Sequence, residues 1–141
     1  MKLIPITHLG ILIAALTEDK LYKDIIGIDD LQYWIPDMVA TKWYLIQEGK
    51  EYVGIFIVRQ ITSVLYEFHG GVYKPYRGNG TRYCKFCLDE LKKTYPGKYI
   101  TTISKNNEAV RKLLEKLNFN HFATVKNGYA DSDMHMYEEK E

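Results

Sequence analysis

A chain of 141 residues, 46% hydrophobic and with a formal net charge of +1, holds enough apolar side chain for one core and has no charge excess for gripping a polyanion. General nucleic-acid binding and attraction to anionic membranes are therefore not expected. The composition reads as one domain spanning 1–141, with no repeat, low-complexity tract or linker.

The first apolar run, 9–16, follows a stretch that superficially resembles a secretory leader. Within residues 1–16 only one lysine stands at the start, Pro5 and His8 interrupt the apolar residues, no small-x-small cleavage site is convincing, and the run is too short to span a bilayer. It reads instead as a buried first helix, 8–18, of a cytoplasmic protein. A second helix is expected over 29–38, where Leu31, Trp34, Ile35 and Met38 recur at helical spacing. Two strands rich in β-formers, 40–46 and 52–58, flank the polar stretch 47–51 and read as a hairpin.

The strand 64–69 alternates two faces and runs through Gly70-Gly71 into Val72 and Tyr73, a pattern that implies a bulge or a close backbone approach. A helix over 80–95 sets Tyr83, Cys84, Cys87, Leu88, Leu91 and Tyr95 on one side, and a strand follows at 99–103. Together these three elements make a βαβ unit with parallel strands. A helix over 107–117 presents Ala109, Val110, Leu113, Leu114 and Leu117 on its apolar side. The last element is a hairpin pairing 122–126 with 129–137 across Asn127-Gly128, the strongest short hairpin signal. Cys84 and Cys87 form a Cys-x-x-Cys inside the third helix, but no second pair completes a zinc set, and two buried thiols explain them. No metal site is expected.

The chemistry concentrates between the strand ending at Tyr73 and the helix beginning at Gly80. Glycines at 78 and 80 let the backbone N–H groups of Gly78, Asn79, Gly80, Thr81 and Arg82 converge where an anion meets a helix N-terminus, and Arg77 and Arg82 add positive charge. A nucleotide P-loop would need Gly-Lys-Ser/Thr, and the chain has Gly80-Thr81-Arg82. A dinucleotide fingerprint would need glycine at the position of Tyr83. The spacing that remains is Arg-x-x-Gly-x-Gly/Ala, with Arg82 in place of the usual small last residue.

With that loop the chain resembles the GNAT superfamily of N-acetyltransferases, in particular its compact bacterial and bacteriophage members. The segment 107–119 resembles the family's second signature, an Asn-started helix ending in Leu-Gly-Phe, and the likeness extends over about residues 40 to 137. The resemblance implies an α/β fold of the GNAT type: a mixed twisted sheet flanked by helices around a central βαβ unit. The fourth strand would splay from its parallel neighbour and leave a slot for a pantetheine arm. It further implies acetyl-coenzyme A as acyl donor, bound by Val72, Tyr73, Arg77, Gly78, Asn79, Gly80, Thr81, Arg82 and Asn107. The acceptor would be the primary amine of a small molecule or protein.

A lysine-like amine carries its proton at neutral pH, and removing it costs about 4–5 kcal/mol, so a base is useful. Glu67 and His69 share a strand face just before the slot and are the candidates, Glu67 the preferred one. Main-chain N–H groups at Val72 and Tyr73 would polarise the thioester carbonyl. An N-cap explains Asn107 as well as a cofactor contact does. The family's Tyr that protonates the departing thiolate falls at Leu114, leaving Tyr129, Tyr83 or solvent to replace it, and Pro75 stands one residue late. Asn118 replaces a glycine and tolerates the left-handed conformation that ends helices. Asp29, Asp30, Tyr33, Trp34, Tyr129, Asp131 and Asp133 would line the acceptor mouth and suit a cationic amine. A weakly catalytic acyl-coenzyme A-binding or protein-interaction module and a small nucleotide-phosphate binder are the other readings, and self-association into a homodimer stays open.

Overall fold

The computed structural model describes residues 1–32 and 34–140. Among these, seven strands form one mixed sheet in the order β1-β2-β3-β4-β5-β7-β6. The strands are β1 (Lys2–Pro5), β2 (Thr41–Glu48), β3 (Glu51–Gln60), β4 (Leu65–Val72), β5 (Lys98–Ser104), β6 (Phe119–Tyr129) and β7 (Ser132–Glu139). The helices are α1 (Leu9–Thr17), α2 (Leu21–Ile25), α3 (Gly80–Thr94) and α4 (Glu108–Lys116). β4 and β5 run parallel, joined through α3, and the other neighbouring strands run antiparallel. The expected βαβ unit is present.

Strand alternation sorts the side chains into two cores. Phe56 and Val58 of β3, Tyr66 and Phe68 of β4, and Tyr99 and Ile103 of β5 face α3 and α4, meeting Tyr83, Cys87, Leu91 and Leu114. On the opposite face Trp43, Leu45, Ile55, Ile57 and Tyr73 meet Leu12, Leu16, Leu21 and Ile25 of α1 and α2. Leu12, Leu16 and Leu21 are fully buried, each contributing about 2 kcal/mol of apolar transfer. By the same alternation Glu67 and His69 lie on the α1–α2 face.

Several expectations are corrected. Lys2–Pro5 is a strand, paired with β2 from Lys2↔Gln47 to Pro5↔Tyr44, where the sequence suggested only the approach to a helix. No helix forms over 29–38 among the described residues; Tyr33 lies outside them. Asp30 Oδ1 accepts from Gln32 N–H at 2.9 Å, and Asp37 Oδ1 accepts from Val39 and Ala40 N–H at 2.9 and 3.0 Å. These local turns, with Pro36 lacking an N–H, outcompete the helix. Leu31, Trp34 and Met38 still pack on the α1–α2 core, so the apolar spacing marks contact without helix. The second helix is α2, reached through Asp19 and Lys20, which turn the chain at φ of +54° and +53°.

The final hairpin reverses at Ala130-Asp131, with Tyr129 opposite Ser132, and not at Asn127-Gly128. Residues 126–128 instead bulge opposite Asp133, whose carboxylate accepts from Asn127 N–H at 2.9 Å, and Asn127 takes φ +54°. The left-handed tolerance of Asn is thus spent on a bulge. The glycine pair of β4 resolves the other way, since β3 and β4 pair without interruption from Gly54↔Val72 to Gln60↔Tyr66. A Cβ on Gly71 would lie 2.9 Å from Leu21 Cδ1, so this glycine allows α2 onto the sheet.

Candidate functional site

The site begins where β4 and β5 part. Tyr73 N–H donates to Val53 carbonyl oxygen at 2.9 Å, which fixes the phase of the β3–β4 ladder: odd-numbered residues of β4 address β3, and even-numbered ones address β5. Lys98 N–H donates to Val64 carbonyl oxygen at 2.8 Å, and parallel pairing continues only to Glu67↔Ile100. Past that pair the main-chain N–H and C=O groups of Gly70 and Val72 turn toward β5 and find no strand partner among the described residues. A slot with a polar main-chain wall results, as expected. Val72 therefore offers a free N–H to it, whereas the N–H of Tyr73 is already committed to β3. The Tyr73 hydroxyl donates to Ala15 carbonyl oxygen at 2.8 Å, tying α1 to the end of β4.

The chain then makes a 3-10 turn at Lys74–Tyr76, with Pro75 at its start, and passes through Gly78 at φ +103° into α3. Only glycine adopts that φ without strain. The first backbone bond of α3 joins Tyr83 N–H to Asn79 carbonyl oxygen, and the Asn79 side chain does not cap the helix. Among the described residues the N–H groups of Gly80, Thr81 and Arg82 thus stay unpaired and point out of the helix end with its partial positive charge.

The two arginines do not stand free over this loop. Arg77 pairs with Asp24 of α2 at 3.3 Å, and Arg82 with Glu48 at the end of β2 at 2.6 Å. Lys74 N–H donates to Asp19 Oδ2 at 2.9 Å, so the strained turn before α2 is fastened to the loop as well. Asn107 is an N-cap, its Oδ1 accepting from Val110 N–H at 3.2 Å.

On the α1–α2 face Glu67 lies between Arg59 and His69. Arg59 Nη2 is 3.0 Å from its Oε1, and His69 Nε2 is 3.7 Å from its Oε2, within ion-pair reach but beyond a hydrogen bond. His69 first and Arg59 next hold the Glu67 carboxyl below the usual carboxylate value, outweighing its partial burial. Glu67 is therefore an ionised partner at neutral pH.

Tyr129, from the end of β6, brings its hydroxyl to 3.3 Å from Thr102 Oγ1. Thr102 follows the last β4–β5 rungs, so this phenol stands beside the slot. Tyr83 is directed elsewhere, with its hydroxyl 3.4 Å from Glu48 Oε1. Leu114 is buried among the α3–α4 core residues. Of the expected acceptor rim, Asp30 serves a local turn, Asp133 holds the bulge at Asn127 across the strands, Asp131 is exposed, and Trp34 packs edge-on against Trp43 at 5.7 Å. Arg59, Thr102, Asp24 and Glu48 escaped the sequence reading. The Arg59–Glu67 contact is a cross-strand pair, visible only once the β3–β4 register is known.

Among the described residues no group of three metal-ligating side chains occurs. Cys84 and Cys87 are free thiols, and burial pushes Cys84 up to about 12, which removes thiolate chemistry near neutrality. No helix is long and apolar enough to cross a membrane among the described residues.

No family model matches the chain, and no curated protein matches it. Solved structures do. The spermidine N-acetyltransferase of Vibrio cholerae in complex with CoA and spermine superposes with a TM-score of 0.78 at 13% identity, covering 97% of this chain and 93% of that one. A GNAT family acetyltransferase from Elizabethkingia anophelis with acetyl-CoA bound gives 0.69 at 14% identity, over 99% and 97%. The N-acetyltransferase PseH of Campylobacter jejuni gives 0.70 at 16% identity, over 99% and 97%. At these identities the likeness establishes the fold: the chain has the GNAT fold, as its loop and second signature implied.

Proposed function

We propose that the protein is an N-acetyltransferase that moves acetyl from acetyl-coenzyme A directly to a primary amine. The observation that carries this reading is the continuous path from the free main-chain edge at Gly70 and Val72 to the uncapped N-terminus of α3. An extended amide-bearing arm matches the first, and a diphosphate matches the second. Bound acetyl-coenzyme A supplies an activated thioester there.

The residues then divide the work. Val72 N–H donates to the thioester carbonyl oxygen and stabilises the charge that develops on it. The N–H groups of Gly80, Thr81 and Arg82 hold the diphosphate. His69, kept in place by the ionised Glu67, takes the proton of the attacking amine, directly or through one water. The Tyr129 hydroxyl, beside Thr102, returns a proton to the departing sulfur. Small amines are the first acceptors to test, since a neighbour of the same fold is crystallised with spermine. We place the activity in the cytoplasm.

One observation favours a second reading, an acyl-coenzyme A-binding module with weak catalysis: Leu114 occupies the position of the family's acid and is buried in the core. Calorimetric titration with acetyl-coenzyme A, with ATP and nicotinamide dinucleotide as controls, tests binding. A thiol-release assay over polyamines, aminoglycosides, amino acids and peptide N-termini tests transfer. Selective binding with transfer supports the enzyme, selective binding without transfer supports the module, and preference for ATP overturns both.

A further inference from the structure

From the point where the β4–β5 ladder stops, we infer that Thr101 is the positioning residue that holds the slot open. With Lys98 N–H on Val64 carbonyl oxygen and pairing through Glu67↔Ile100, the next rung of a parallel ladder would run from Thr102 N–H to Phe68 carbonyl oxygen. That rung is not made. Phe68 carbonyl oxygen instead accepts from the Thr101 hydroxyl at 2.6 Å, a short bond inside the protein, with Thr101 only 4% exposed.

The substitution of a side-chain donor for a main-chain one has a geometric result. A buried carbonyl needs a partner, and the cheapest partner in a sheet is the next N–H of the neighbouring strand. Because Thr101 already satisfies Phe68, β5 gains nothing from closing on β4, and the N–H and C=O groups of Gly70 and Val72 stay open. Thr102 is released in the same step, and its hydroxyl turns to Tyr129. Neither strand carries a bulge or a proline at this point: β4 keeps regular register with β3, and β5 with β7. The hydroxyl bond stands at the boundary between the last paired rung and the first open one.

Thr101 touches no reacting atom in this scheme, and its importance for coenzyme binding rests on the acetyl-coenzyme A reading. The test separates the two. Amide hydrogen exchange by NMR on the ligand-free wild-type protein should show Ile100 and Phe68 protected and Thr102 fast. A protected Thr102 amide would mean that the ladder continues, and would end the proposal without any variant. In Thr101→Val, which keeps shape and removes the donor, Thr102 exchange should slow at least 10-fold as the rung forms. Acetyl-coenzyme A affinity should fall by a similar factor, raising KM more than it lowers kcat. Thr101→Ser restores the hydroxyl and should return both to near wild type. Unchanged Thr102 exchange in Thr101→Val, or no rescue by Ser, would overturn the role. Altered exchange in a protein that never binds acetyl-coenzyme A would retain the strand-holding role while removing the coenzyme reading.

Discussion

Arg82 Nη1 lies 2.6 Å from Glu48 Oε2 while its Nη2 lies 3.1 Å from Oε1, so the guanidinium at the head of α3 is gripped in a two-pronged fork by the end of β2. The charge that the sequence assigns to the loop is thus held by a carboxylate. Replacing Glu48 by Gln should loosen that grip and tighten acetyl-coenzyme A binding a few-fold, with the gain shrinking as salt rises. Calorimetry at two ionic strengths checks this, and weaker binding in Glu48→Gln would show that the fork positions Arg82 for the ligand.

Gly78 and Gly80 should respond differently to alanine. At Gly78 a Cβ meets nothing within 4 Å, but φ is +103°, so the penalty is backbone strain of about 1–2 kcal/mol. At Gly80 a Cβ meets only the flexible end of Leu113, 3.1 Å away. Gly78→Ala should lower the melting temperature and the coenzyme affinity, whereas Gly80→Ala should do little to either. Thermal melts and titrations on both variants decide it.

Glu67 sets a pH dependence whose sign follows from its lowered carboxyl value. A depressed value in the folded state means stabilisation that is complete above the unfolded value of about 4.3 and is lost as pH falls through the lower folded one. Glu67→Gln should therefore flatten the acid side of the stability curve below about pH 4.5, as denaturant melts from about pH 3 to 7 would show. Because this carboxylate stays ionised through neutrality and His69 is the proposed base, His69→Gln should lower kcat far more than Glu67→Gln does, as steady-state rates at neutral pH would show. The reverse result would return the role of base to Glu67.

Tyr129→Phe removes the hydroxyl beside Thr102. If that phenol protonates the departing sulfur, kcat falls about 100-fold with KM little changed. A steady-state comparison against donor concentration separates this from a binding effect, which would move KM instead.

Placing at position 114 the tyrosine that the resembled GNAT signature carries there should fail as a gain of function. Leu114 is 1% exposed and packs with the α3–α4 core, so Leu114→Tyr must find room for a ring and a hydroxyl in a filled space. Overpacking of this kind costs about 1–3 kcal/mol, a drop of several degrees in melting temperature by differential scanning calorimetry.

The legible parts of the chain were those decided by local chemistry. The β2–β3 hairpin, α3 with its glycine loop, β5 and α4 with its Asn107 cap follow from alternation, helical spacing and capping within a few residues. What misled was sequence whose local signal served a non-local end. Leu31, Trp34 and Met38 repeat as on a helix because they must reach the same core, while Asp30, Pro36 and Asp37 forbid the helix. Asn127-Gly128 carries hairpin chemistry but is claimed by Asp133 across the strand. At the candidate site, the glycines, Arg77, Arg82 and Glu67 with His69 were visible in sequence. Their partners Asp24, Glu48 and Arg59 were not, because ion pairs between elements depend on register and packing.

The pairing of Arg77 with Asp24 and of Arg82 with Glu48 makes the loop a lock with its charges already shielded. A stray phosphate or a length of nucleic acid meets two neutralised arginines and little net attraction, in keeping with a chain whose overall charge is +1. On the acetyl-coenzyme A proposal, a ligand that fills the slot and the end of α3 together would have to displace these carboxylates. On that proposal the loop's selectivity would then rest on Asp24 and Glu48, which already hold the two arginines, as much as on the glycines and arginines that announce it.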